Sequence, residues 1–168
     1  MNLEHSWFKE ISSDVIYVLM EIRTETDYVP HHIQKVAGIF LAMRTFAETL
    51  LKRGHQLIYI KLDDPENDQA FDKNCKRLID ELAIDRFEYQ EPDEYRVAEE
   101  LKSLCARLSV ESRCVSTEHF LTDPAFFQRV FRDHKRYTME LFYREVRKKY
   151  HLLMQDGAPL GDRWNFDA

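Results

Sequence analysis

Short apolar runs alternate with longer amphipathic segments between residues 15 and 115. The first run, residues 15–21, follows the polar residues 12–14 and has the continuous apolar character of a strand buried on both faces. Apolar residues then recur at every third or fourth position, which predicts a long helix over about 30–53, just before Gly54. The same reasoning predicts three further strands, at 57–61, 86–90 and 110–115, and two further helices, around 71–82 and 98–108.

Strands and helices that alternate with short connections form right-handed crossovers and a parallel sheet with helices on both faces. The predicted class is therefore α/β, Rossmann-like or flavodoxin-like. After Ser116 the pattern changes to a polar, aromatic stretch, then to a helix with an apolar face over 139–150, and finally to an irregular tail over 156–168. We therefore predict an α/β domain over 1–116 and a helical extension over 117–168 that begins a linker.

The composition is that of a globular protein. Of 168 residues, 44% are hydrophobic and only 4 are Gly and 5 Pro, which excludes disordered and collagen-like chains. No apolar run reaches the roughly 18 residues of a membrane-spanning helix, and residues 1–10 do not have the pattern of a secretory signal. Three cysteines, at 75, 105 and 114, cannot all pair. We expect free thiols, a cytoplasmic location and no membrane partner.

Charge is distributed unevenly along the chain. Residues 1–128 carry 15 Lys and Arg against 24 Asp and Glu, whereas residues 129–149 carry 8 against 3. This difference indicates that the two parts face different partners. The predicted helix over 139–150 carries four cations, Arg144, Arg147, Lys148 and Lys149. They form either a solvated face or a surface on which another domain docks, and Phe142, Tyr143 and Trp164 favour docking because they would otherwise be exposed without reason.

Acidic residues follow each of the first three predicted strands, at the sheet edge where ligands of such folds bind. They are Glu21, Glu25 and Asp27; Asp63, Asp64, Glu66 and Asp68; and Glu91, Asp93 and Glu94. Neither GxGxxG nor GxxxxGK[ST] occurs, and carboxylates repel phosphate, so a nucleotide held by its pyrophosphate is not expected. Carboxylates can accept hydrogen bonds from a polar ring or polyol ligand. Alternatively, they only keep the edge soluble and cap helices, which is the simpler interpretation.

Motifs for catalysis or metal binding are missing from the sequence. His31 and His32 are adjacent, so they point about 100° apart on a helix and do not form a metal clamp. The chain has no CxxC and no GxSxG motif. We predict no catalytic residue and no metal ligand.

Three segments carry a family resemblance. They are EIRTETDYVPHHIQKVAGIFLAMRTFAETL (21–50), EPDEYRV (91–97) and YTMELFYREVRKKYHLLMQDGAPLGDRWNFD (137–167). The chain resembles the amino-terminal domain of deoxyribodipyrimidine photolyase-related proteins, in the iron-sulfur bacterial branch of the cryptochrome and photolyase family. The resemblance implies a Rossmann-like antenna domain that binds 6,7-dimethyl-8-ribityllumazine. In the family, a helical domain with FAD and a four-iron (4Fe-4S) cluster follows and repairs (6-4) photoproducts in DNA.

The resemblance also implies which residues form the site and which features of the family are expected outside this chain. Glu21, Glu25 and Tyr28, with Met20 beside them, match one wall of the antenna pocket. Family members open with an apolar strand that ends in Gly-Asp-Gln, in place of which this chain has Met1. We therefore expect a sheet without the family's first, central strand, whose exposed inner edges favour a homo-oligomer. FAD, the cluster, the catalytic domain and the contact with damaged DNA are expected beyond Ala168.

The sequence supports two alternative functions. The first is a light-harvesting domain of a photolyase or cryptochrome that acts in DNA repair or blue-light sensing, with no catalysis of its own. The alternative is a nucleic-acid or protein interaction domain that uses the basic segment 129–149 without a chromophore.

Overall fold

The computed structural model describes residues 1–165 and divides the chain into two compact units. The first unit spans residues 1–119, and the second begins at Phe120. The predicted boundary after residue 116 lies three residues earlier in the chain.

Two pairs of parallel strands form the frame of the first unit. β1 (Ile16–Met20) pairs with β2 (Gln56–Ile60), and β3 (Arg86–Gln90) pairs with β4 (Glu111–Val115). Helices connect successive strands: α1 (Thr24–Asp27) and α2 (Ile33–Lys52) after β1, α3 (Phe71–Glu81) after β2, and α4 (Tyr95–Arg107) after β3. The predicted α/β class is confirmed, and the arrangement is consistent with a Rossmann-like fold.

The strands β1 and β3 do not pair with each other within residues 1–165, and each has a single strand neighbour. Such a gap is consistent with the expectation of a sheet that lacks a central strand. Val18, in the middle of β1, is exposed. The two strand pairs nevertheless share one core, built from buried residues of β1, β2, α3 and α4 with side chains of β3 packed against it: Met20, Ile60, Leu78, Leu101, Leu104, Phe87 and Tyr89.

Alternation along β1 directs its side chains to two different helical layers. Met20 points into the core formed with α3 and α4. Tyr17, on the opposite face, lies in an aromatic cluster with Phe8, which in turn contacts Phe46 of α2. Helices therefore pack on both faces of the β1–β2 pair, although Val18, on the same face as Met20, remains exposed.

Helix α2 is close to its predicted bounds. His32 caps its first turn by accepting a hydrogen bond from the Gln34 backbone N–H. Gly54 follows the helix with φ of +96°, a conformation that glycine adopts without strain. The local sequence therefore fixes both ends of the helix.

The second unit contains α5 (Pro124–Phe131), α6 (Met139–Tyr150) and a short hairpin of β5 (Met154–Gln155) and β6 (Ala158–Pro159). Helix α5 is not predicted from the sequence, although Asp123 caps it and Pro124 occupies its first turn. The prediction of an irregular tail over 156–168 is wrong at β6. Residues 166–168 of that tail lie outside the described residues.

Both elements of the second unit that were not predicted are short. The apolar period of α5 covers two turns, and each strand of the hairpin has two residues, so neither gives a long pattern. No helix within residues 1–165 combines the length and apolar character needed to cross a bilayer.

Candidate ligand site at the ends of the first and third strands

Glu21 follows β1 directly and its side chain is fully buried. Its two oxygens accept four hydrogen bonds from protein groups. Arg44 on α2 donates from Nε to Oε1 at 2.6 Å and from Nη2 to Oε2 at 2.8 Å. The Tyr59 hydroxyl donates to Oε1 at 2.7 Å, and the Leu62 backbone N–H donates to Oε2 at 3.0 Å. These donors occupy the accepting capacity of the carboxylate.

These contacts determine the charge of Glu21. Burial alone would raise its pKa, but the hydrogen bonds from Arg44, Tyr59 and Leu62 outweigh burial and lower the pKa to about 2. Burial and the bond to Glu21 raise the pKa of the Tyr59 hydroxyl, which therefore remains a donor at neutral pH. Glu21 is an ionised structural carboxylate that joins β1, β2 and α2.

Two buried asparagines hold the loops that follow β1 and β2. Asn67 Nδ2 donates to the carbonyl oxygens of Glu21 at 2.7 Å and Lys61 at 2.8 Å. Asn74 Nδ2 donates to Asn67 Oδ1 at 2.9 Å and lies 3.7 Å from Met20 Sδ. Met20 is therefore a core residue that borders this polar network, and the network fixes the positions at which both loops leave the sheet.

Glu25 connects the ends of β1 and β3. It lies in α1, and its two oxygens accept from Arg96 Nη1 at 3.0 Å and Nη2 at 2.8 Å. Arg96 is in the first turn of α4, and its guanidinium carbon lies 4.4 Å from the centroid of the Tyr28 ring. Tyr28 is 47% exposed, so one part of the ring contacts the cation and another faces solvent. We call these three residues the rim cluster.

Carboxylates outnumber cations around Arg96. Besides Glu25, Glu94 lies 3.0 Å and Glu100 3.7 Å from its guanidinium nitrogens. Burial, followed by the charge of Glu25, raises the pKa of Glu100. The rim cluster is therefore a partly buried site with an excess of hydrogen-bond acceptors, which suits a ligand rich in N–H and O–H groups.

The structure separates the four predicted site residues into two pairs. Glu25 and Tyr28 meet at the rim through Arg96, whereas Glu21 and Met20 point inward and make protein contacts. Arg96 was not identified from the sequence, although it lies in the segment 91–97 that carries the resemblance. Its role depends on Glu25, which is 71 residues away in the chain, and no local sequence pattern predicts such a contact.

Arg44 and the asparagines were also missed. Arg44 lies among the apolar positions of α2, between Met43 and Ala47, and a charged residue there indicates a buried partner. No cluster of three or more His, Cys, Asp or Glu within residues 1–165 could hold a metal ion. Burial raises the pKa of the Cys75 thiol to about 12, so this cysteine remains protonated.

The fold and this site place the chain in the Rossmann-like α/β class, with an acidic cluster at the carboxyl ends of parallel strands. The family model described as deoxyribodipyrimidine photo-lyase-related protein matches residues 1–168, and the chain belongs to this family. A similar protein is the (6-4) photolyase of Agrobacterium fabrum (strain C58 / ATCC 33970), which is 41% identical over 151 residues. The match covers 90% of this chain but about 30% of the length of that relative.

Proposed function

We propose that this chain is the light-harvesting domain of a photolyase- or cryptochrome-related flavoprotein that acts in DNA photorepair or blue-light sensing. Its chromophore in this proposal is 6,7-dimethyl-8-ribityllumazine. Family membership supports the photolyase-related role. The observation that carries the assignment of the site is the rim cluster, in which a carboxylate and an aromatic ring are held together by one guanidinium.

The rim cluster matches the chemistry of a lumazine with a ribityl chain. The exposed part of the Tyr28 ring offers a surface for a flat heterocycle. The two hydrogen bonds from Arg96 leave lone pairs of the Glu25 carboxylate available. These lone pairs accept hydrogen bonds from the ribityl hydroxyls. Arg96 positions both residues. In this proposal Glu21 and Met20 support the wall from behind rather than contact the ligand.

Catalysis is assigned to another part of the parent protein. The chromophore absorbs a photon and passes the excitation to FAD, and both FAD and the 4Fe-4S cluster are proposed to belong to a separate domain that docks on this one. Recognition and repair of the damaged site in DNA would then belong to the parent protein only. The purified chain should show neither flavin nor cluster absorption and no light-dependent repair. Stoichiometric FAD in the preparation would contradict this division of roles.

A titration tests the ligand assignment. The chain is titrated with 6,7-dimethyl-8-ribityllumazine and followed by absorption and fluorescence, and saturable one-to-one binding is expected. The matched variants are Glu25→Ala at the rim and Glu48→Ala on the exposed surface of α2. Binding should weaken in the first variant and remain unchanged in the second. A chain that shows no saturable binding, or equal affinities for the two variants, would overturn the proposal.

A second pair of variants tests the part played by Arg96. Arg96→Lys keeps the charge but loses the two-pronged contact with Glu25, and Arg96→Gln loses both. We expect lumazine affinity to fall in both variants, and to fall further for Arg96→Gln. Wild-type affinity in both variants would show that Glu25 and Tyr28 do not depend on this cation.

Self-association is a further part of the proposal. The unpaired edges of β1 and β3 within the described residues leave backbone N–H and C=O groups able to pair with another chain. Closing the gap inside one molecule would require the halves of the sheet to approach by about 4.8 Å, against helices already packed on both. Light scattering at micromolar concentration should therefore give a dimer or larger assembly. A mass near 20.2 kDa, which is that of a single chain, would contradict self-association.

A further inference from the structure

The segment that joins α5 to α6 has an unusual combination of charge and exposure. All residues from 132 to 138, which we call the basic loop, are exposed. They include Arg132, Lys135 and Arg136 but only one carboxylate, Asp133. None of these three cations lies within ion-pair distance of a carboxylate in the described part of the chain. By contrast, two cations of the neighbouring α6 are paired within their own helix, Arg144 with Glu140 and Lys148 with Glu145.

An aromatic ring next to these cations is fixed in place and yet exposed. Tyr137 is 72% exposed. Its ring packs edge-on against Phe131, with centroids 5.1 Å apart, and contacts Phe127 at 5.8 Å. Phe131 is buried and also stacks on Phe142, so the support is part of the core of this unit. The ring of Tyr137 is therefore a supported platform whose remaining surface faces solvent.

We propose that the basic loop and Tyr137 form a binding site for single-stranded nucleic acid. The three cations neutralise successive phosphates, and an unpaired base stacks on Tyr137, as in sites that combine a positive surface with aromatic platforms. Recognition is independent of base sequence, because every base has a face that can stack. This site is separate from the rim cluster and does not depend on a chromophore.

The unpaired charges favour this ligand over an apolar protein surface. Covering Arg132, Lys135 and Arg136 with an apolar surface would remove three charges from water without partners, which is costly. A chain of phosphates supplies an anion for each cation and leaves the surrounding water in place. A flexible single strand also presents the unstacked bases that the exposed ring of Tyr137 requires.

Fluorescence anisotropy with a labelled oligothymidylate of about 20 nucleotides tests the charge component on the full 168-residue chain. The loop variant combines Arg132→Gln, Lys135→Gln and Arg136→Gln. The control combines Lys52→Gln, Lys61→Gln and Lys76→Gln, which removes the same charge from exposed positions of the first unit. Affinity for the wild-type chain should fall steeply with salt. The slope of log affinity against log salt should decrease by about 2 in the loop variant, at about 0.7 per phosphate, and stay unchanged in the control.

Substitutions of Tyr137 test the stacking component. Tyr137→Ala should weaken binding about ten-fold, whereas Tyr137→Phe keeps the ring and should bind like the wild type. Thermal melting followed by circular dichroism confirms that each variant is folded. The lumazine titration should be unchanged in all loop variants, so the two proposals succeed or fail independently.

Several outcomes would overturn the inference. Equal loss of affinity in the loop variant and the control would show a response to net charge alone. Duplex DNA bound as tightly as the single strand would remove the role of stacking. Binding to vesicles of anionic lipid, with none to the oligonucleotide, would identify a membrane surface as the partner. Salt-independent capture of another protein by the loop, with no oligonucleotide bound, would identify a protein docking surface.

Discussion

Glu21 and Glu25 lie four residues apart after the same strand, and their environments differ in almost every respect. Glu21 is fully buried and receives four hydrogen bonds from residues of α2, β2 and the loop that follows β2. Glu25 is partly exposed and is held by Arg96 beside an exposed tyrosine. Both carboxylates accept a two-pronged hydrogen bond from an arginine, so the ion pair itself does not distinguish them.

The difference lies in what the remaining lone pairs contact. At Glu21 they are used by Tyr59 and Leu62, and the carboxylate contributes to stability. At Glu25 no further donor within residues 1–165 bonds to the carboxylate, and the side chain borders solvent. A rim residue of this kind can exchange water for a ligand at little cost to the fold. Glu21 therefore has a structural role, whereas a role of Glu25 in recognition belongs to the proposed function.

The largest effect is expected for Glu21→Ala. Removal of the carboxylate leaves Tyr59, Leu62 and Arg44 without their acceptor and should lower the free energy of unfolding by about 3 kcal/mol. Urea denaturation measures this value. Glu48→Ala, at an exposed position on α2, should change it by less than about 0.5 kcal/mol. Similar values for the two variants would contradict a structural role for Glu21.

Lowering the pH should decrease the free energy of unfolding by a similar amount. The pKa of Glu21 is about 2 in the folded chain, below its ordinary value of 4.5, so the ionised form favours folding. This stabilisation is fully present above about pH 4.5 and is lost as the pH falls toward 2, a loss of about 3 kcal/mol. Denaturation curves across this range measure it. The Glu21→Gln variant should lack this component, and an unchanged profile in that variant would assign the effect to other carboxyl groups.

The next effect concerns ligand affinity. In the proposed light-harvesting domain, Glu25→Ala should weaken lumazine binding by about 1–3 kcal/mol, because ligand hydroxyls lose their acceptor. The free energy of unfolding should change by less than about 1 kcal/mol, since the pair with Arg96 is partly exposed. Absorption titration and urea denaturation give the two values. A large loss of stability with unchanged affinity would reverse the assigned roles of Glu21 and Glu25.

The smallest effect is expected from the two tyrosine hydroxyls. Tyr59→Phe removes one donor to Glu21 and should lower the free energy of unfolding by about 1 kcal/mol. Tyr28→Phe keeps the ring that lies over Arg96 and should leave stability unchanged within error. Thermal melting of both variants makes the comparison. Equal losses would indicate that the hydroxyl bond to Glu21 adds no stability to that site.

The order and type of the main elements could be predicted from the sequence because they depend on local period. The predicted strand 86–90 is β3, and the helix predicted over about 30–53 is observed as Ile33–Lys52. Elements too short to establish a period, such as α5 and the β5–β6 hairpin, were missed. Acidic residues at the strand ends were also visible in the sequence.

The sequence by itself determined that carboxylates follow β1, because this depends only on neighbours along the chain. Only the tertiary structure decided which carboxylate is buried and which remains at the rim. The partner of Glu21 on α2 is 23 residues away, and the partner of Glu25 on α4 is 71 residues away. Burial and hydrogen bonding depend on distances in space, and packing of helices against the two strand pairs sets those distances.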